Sequence, residues 1–87
     1  MQLIANKDEL QEIIARRRGF LVNVWPGPVV KVHNLEHPCW QAQHHLVSPS
    51  NPKYFAETRQ EINNRPYPWG QKELGDCQHC ERKRQRS

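Results

Sequence analysis

The first apolar stripe in the chain is Leu10, Ile13 and Ile14, spaced three and one residues apart as on one face of a helix, with Asn6 positioned to cap it and Glu9 three residues on. Arg16, Arg17 and Arg18 suit the negative end of the helix dipole and Gly19 supplies a left-handed stop, which predicts a helix over 7–18. Two β-rich runs follow, Phe20 to Trp25 and Val29 to His33, separated by Pro26-Gly27-Pro28, and they read as a hairpin with a wide loop. Phe20, Val22 and Val24 fall on one strand face with Val30 and Val32 opposing them, and this face is expected to lie on the first helix.

Beyond the hairpin the periodicity weakens. Pro38 suits the first turn of a short helix reaching about Leu46, with Cys39, Ala42 and Leu46 inward. Asn51-Pro52 resembles an N-cap followed by proline at the first helical position, which predicts a second helix to Asn63 with Phe55 and Ile62 on its apolar face. The stretch Arg65-Pro66-Tyr67-Pro68-Trp69-Gly70 is too rich in proline for either regular element, and a proline between two rings is a candidate cis bond. The expected fold class is therefore α+β: a small single domain over 1–80 with an N-terminal helix, a β-hairpin, one further long helix and a proline-rich, Cys/His-containing C-terminal segment, followed by a basic tail over 81–87.

Composition sharpens this outline. With 36% hydrophobic residues and a mean hydropathy of −0.98, 87 residues supply a thin core, and a domain of this size commonly needs a staple. Three cysteines cannot pair evenly and no signal-like apolar stretch is present, which points to a reducing cytoplasm, and no segment is long enough to span a membrane. The net charge is +4, of which residues 81–87 contribute +3 through Arg82, Lys83, Arg84 and Arg86 against Glu81, leaving +1 on residues 1–80. The tail is the candidate nucleic-acid contact, and the body is nearly neutral.

Cys77-Gln78-His79-Cys80 is half a metal site, since two thiolates two residues apart can turn onto one Zn²⁺. Cys39 is the natural third ligand. His33, His37, His44 and His45 are candidates for the fourth, with His44 favoured because the four residues between it and Cys39 allow a turn between ligands. One structural zinc on Cys39, His44, Cys77 and Cys80 is the cofactor expectation. Redox chemistry is disfavoured because the CxxC lies at the C-terminal edge rather than at a helix start after a βαβ unit. A Cys/His hydrolase lacks an identifiable orienting group, so the chain reads as a non-enzyme. Trp25, Tyr67, Pro68 and Trp69 stand out as candidate partner-binding residues, because aromatic side chains are favoured interface anchors.

A short, proline-interrupted chain with a helix-and-hairpin start, Tyr67-Pro68-Trp69 and a basic tail resembles the small accessory proteins of lambdoid bacteriophages, and among them the anti-RecBCD modulators. The resemblance implies a non-enzymatic protein that docks on a host DNA-processing complex and changes its activity, with an isomerisable proline at Pro68 and a prolyl isomerase as a further partner. The CxxC tail does not map onto that family. The alternative is a small zinc-stabilised nucleic-acid-binding regulator whose tail holds phosphates.

Overall fold

The computed structural model describes residues 1–24, 29–39, 42, 51–64, 69–70, 73–80 and 82. The elements in chain order are β1 (Gln2–Leu3), α1 (Lys7–Ala15), β2 (Phe20–Asn23), β3 (Val29–Asn34), β4 (Lys53–Ala56), α2 (Arg59–Asn63) and β5 (Glu73–Asp76). The strands form one mixed sheet in the order β1-β4-β2-β3-β5, antiparallel throughout except for the parallel pair β3–β5. The α+β class is therefore as the pattern predicts.

Helix α1 starts where its cap requires, with the Asn6 side chain accepting the Glu9 N–H at 2.9 Å. The Glu9 carboxylate does not complete a capping box; it accepts from Gln2 Nε2 instead. The helix stops at Ala15, three residues earlier than expected, because Arg16 is its C-cap and Arg17 already adopts a left-handed φ of 54°. The three arginines consequently lie at or beyond the helix end, where Arg16 pairs with Glu12 and Arg18 with Glu57. Gly19, with φ 81°, follows, and a Cβ there would stand 2.7 Å from the Ala56 carbonyl oxygen and 2.8 Å from the Phe55 ring. Close approach of β2 to β4, as well as φ, reserves this position for glycine.

The hairpin pairs Val22 with Val32 and Leu21 with His33. Its valine face, however, does not meet α1. Residues 21–24 are all buried, so both faces of β2 are covered, and the two covers differ. Leu21, Phe55 and Leu35 pack with Ile4, Leu10, Ile13 and Ile14 of the α1 layer, together with Cys39, Ala42, Cys77 and Cys80. On the opposite face Val22, Val24, Val30 and Val32 pack with Ala56, Ile62 and Trp69. Alternation along the strands makes this division unavoidable once both faces are apolar.

The expected helix over 51–63 is instead a strand and a short helix. Lys53–Ala56 pairs with both β2 and β1, and α2 begins only after Thr58, whose Oγ1 accepts the Glu61 N–H at 3.3 Å while Glu61 Oε2 accepts the Thr58 N–H at 3.0 Å. That reciprocal box is a stronger start signal than Asn51-Pro52, because it satisfies two otherwise orphaned donors. Phe55 and Ile62 thus belong to different cores rather than to one helix face. Pro38 and Cys39 are non-helical, and the rest of the short helix expected there lies outside the described residues apart from buried Ala42. Among the described residues no helix is long and apolar enough to cross a membrane.

Candidate metal centre

Four segments converge on the α1 side of the sheet. Position 33 of β3 is on the same face as Leu21, its cross-strand partner, so the His33 ring is turned into the first core. After β3 the chain turns back, with the Asn34 side chain accepting the Glu36 N–H at 3.0 Å and its carbonyl accepting the His37 N–H at 3.3 Å, and this turn returns Cys39 beneath His33. Strand β5 runs parallel to β3 and ends at Asp76; the next N–H, that of Cys77, still donates to the Val32 carbonyl at 2.9 Å. A helical turn through residues 78–80 then carries Cys80 back toward Cys77. The two-residue spacing works because one such turn brings both thiols to the same side.

The resulting cluster is His33, Cys39, Cys77 and Cys80, all buried, with their ligand atoms all within 4.8 Å of one another. Cys39 Sγ lies 3.6 Å from Cys77 Sγ and 3.6 Å from His33 Nδ1, and Cys80 Sγ lies 3.5 Å from the same nitrogen. A tetrahedral site with Zn–S near 2.3 Å and Zn–N near 2.0–2.1 Å has S···S edges of about 3.8 Å and S···N edges of about 3.5–3.6 Å. The three separations match a single tetrahedral ion. They are too short for ligands that must wrap a cluster of several iron atoms. All three cysteines are free thiols in this arrangement.

Burial keeps two members of the cluster, Cys80 and His33, uncharged. Burial, together with neighbouring Cys39 and Cys77, pushes the Cys80 thiol up to about 12. Burial, then the positive charges of Lys53 and Lys31 and nearby His79, holds His33 down to about 4, so its imidazole is neutral and able to ligate. A bound dication inverts the preference of the thiols, deprotonating them as it binds. Ligation through Nδ1 would put the ring proton on Nε2, which is buried and has no acceptor among the described residues. The outer hydrogen bond that commonly orients a ligating histidine is therefore not seen among those residues.

Of the residues the sequence singles out, Cys39, Cys77 and Cys80 are brought together. The imidazole that joins them is His33, one of the four weighed, while the favoured His44 lies outside the described residues. Strand alternation was the signal for His33: it is out of phase with Val30 and Val32 and in phase with Leu35. Trp69 is not an exposed anchor but a core residue, 8% exposed, with its ring tilted against Tyr54 at a centroid distance of 5.6 Å. A chain this poor in aliphatic residues needs its large ring inside. Trp25, Tyr67 and Pro68 lie outside the described residues, as do Lys83, Arg84 and Arg86; Arg82 is exposed just after the cysteine turn. Lys53, which the sequence reading passed over, is almost fully buried on the same sheet face as His33. No protein-family model, curated protein or solved structure matches the chain.

Proposed function

We propose that the chain is a non-enzymatic, zinc-stapled nucleic-acid-binding module, with one structural zinc held by His33, Cys39, Cys77 and Cys80. The buried cluster carries this reading: four protein donors lie within 4.8 Å of one another, three of their separations at tetrahedral values, and four such donors would fill a structural zinc's coordination sphere rather than leave a position for water or substrate. The site joins β3, the turn after it and the end of β5, so the ion would fix the base from which the basic tail departs. Arg82, Lys83, Arg84 and Arg86 then hold phosphates, a contact that is sequence-independent and weakened by salt.

The test is binding of the full chain and of a chain lacking residues 81–87 to mixed-sequence duplex and single-stranded DNA over a salt series. Affinity that falls steeply with salt in the full chain, and a slope that collapses on deletion, supports the reading. Absence of salt-dependent binding overturns it. A second reading, docking on a DNA-processing protein complex of the kind lambdoid phage modulators engage, draws on the net charge of only +1 over residues 1–80. A lysate partner that survives nuclease treatment and tail deletion favours that reading, although buried Trp69 removes one of its anchors.

A further inference from the structure

A zinc ion bound by three thiolates and one neutral imidazole carries a net single negative charge, and here that charge would be buried with its ligands. Burying an ion is costly unless an opposite charge accompanies it. The sheet supplies one from an unusual place. Lys53, at the start of β4, is 2% exposed, and its ammonium donates to Asn23 Oδ1 at 3.2 Å. Asn23 is the cross-strand partner of both Lys53 on β4 and Lys31 on β3, and His33 is two residues along β3 from Lys31, on the same face. Asn23 and His33 are thus diagonal neighbours on one sheet face, a separation of about 7–8 Å that a long side chain spans.

We infer that Lys53 is the resident counter-ion of the metal–thiolate centre, steered over β2 by Asn23 so that its ammonium faces the ligands from β4. The inference rests on the zinc reading above and deepens it, since it assigns a role to a residue that is not a ligand. Lys53 and Lys31 both act electrostatically on His33, which agrees with their charges lying within range of the cluster. Burial also holds the Lys53 ammonium below the usual lysine value.

The experiment measures zinc and cobalt affinity of the full-length protein by competition with a chromophoric chelator, for the wild type, Lys53→Met and Lys53→Arg. Thermal melts with and without metal accompany each. Outer partners of metal ligands typically account for about 10- to 100-fold in affinity, and Lys53→Met is expected to lose that much. Lys53→Arg should recover most of it, the cobalt absorption bands should keep the positions of an S₃N tetrahedron, and metal-free Lys53→Met should melt no lower than the metal-free wild type. Equal affinity in Lys53→Met and wild type overturns the counter-ion role while leaving the zinc site standing. Wild-type protein that binds neither metal overturns both. A Lys53→Met chain that melts lower without metal, and whose affinity Lys53→Arg fails to restore, marks Lys53 as a packing residue and also overturns the inference.

Discussion

The backbone N–H of Cys77 donates to the carbonyl oxygen of Val32 at 2.9 Å, so the parallel ladder between β3 and β5 continues one residue past the strand and delivers the first thiol of the CxxC beside His33. Strand β5 buries little by itself: Leu74 and Gly75 are half-buried, and Glu73 and Asp76 are exposed. Its other described attachments are the packing of Leu74 on the valine face and the ion pair between Asp76 and Arg59. Cys77 and Cys80, by contrast, are core residues, so the candidate metal site and the docking of this edge strand draw on the same residues.

Purified protein should accordingly carry about one zinc per chain, and chelation should abolish part of the far-ultraviolet circular dichroism, since binding and folding are coupled in small sites of this kind. Elemental analysis that finds no metal in a chain with a full circular dichroism signal would remove the zinc site and leave three buried thiols as packing groups.

The imidazole can be tested separately from the thiols. His33→Ala should lose stoichiometric metal, His33→Cys should retain it as a four-thiolate site, and His44→Ala should bind like the wild type. Metal content at the wild-type level in His33→Ala would return the fourth ligand to another histidine.

These expectations show how far the amino-acid pattern reaches. Helix α1 was legible because Asn6, Leu10, Ile13 and Ile14 act within one turn or two of each other, and the Val22–Val32 pairing followed from alternation on either side of a breaker. The three clustered cysteines were legible as a set because thiols are scarce and functionally marked. His33 was not singled out, because its place beside Cys39 depends on which sheet face β3 turns toward α1, a long-range property. Strand β5 was missed for a similar reason: Glu73-Leu74-Gly75-Asp76 carries one apolar side chain, and only β3 makes it a strand. Asn51-Pro52 mimicked a helix start, whereas the operative start, Thr58 with Glu61, stood several residues downstream.

The capping box gives a pH-dependent prediction. Hydrogen bonding from the Thr58 N–H, then the N-terminal ammonium, holds the Glu61 carboxyl below its ordinary value of 4.5. A depressed carboxyl contributes stability that is fully present above the unfolded value and is lost as pH falls below about 4.5 and through the folded value. Urea midpoints of the wild type should therefore fall below pH 4.5 more than those of Glu61→Gln, and Thr58→Ala should cost about 1 kcal/mol at neutral pH. Parallel acid profiles for wild type and Glu61→Gln would show that the box does not persist in solution.

Gly19→Ala should destabilise by more than about 1 kcal/mol, because it combines a left-handed φ with a Cβ pressed on the Ala56 carbonyl. Gly70, also left-handed at φ 88°, has no atom of the described residues within 4 Å of where a Cβ would stand, so Gly70→Ala should cost only the conformational part. Equal losses in the two variants would mean that β2 and β4 can separate enough to relieve the contact.

Trp69 decides between core and interface for the one aromatic residue of the proline-rich stretch whose position is described. It packs in one core cluster with Val22, Val24, Val30 and Val32 on the face away from the candidate metal site and its ring lies against Tyr54, so removing it opens the second core. Trp69→Ala should cost about 3–5 kcal/mol, in the range of large-to-small core changes, and Trp69→Phe less, because a ring remains against Tyr54. An exposed anchor would behave differently: surface substitutions away from special features stay within about 0.5 kcal/mol, and the loss would appear only in partner binding. Denaturant titration separates the two, since a core role moves the midpoint while leaving its slope unchanged. An unmoved midpoint in Trp69→Ala, together with lost binding to a nuclease-resistant partner from lysate, would put this ring on the surface and restore the docking reading at the expense of the nucleic-acid one.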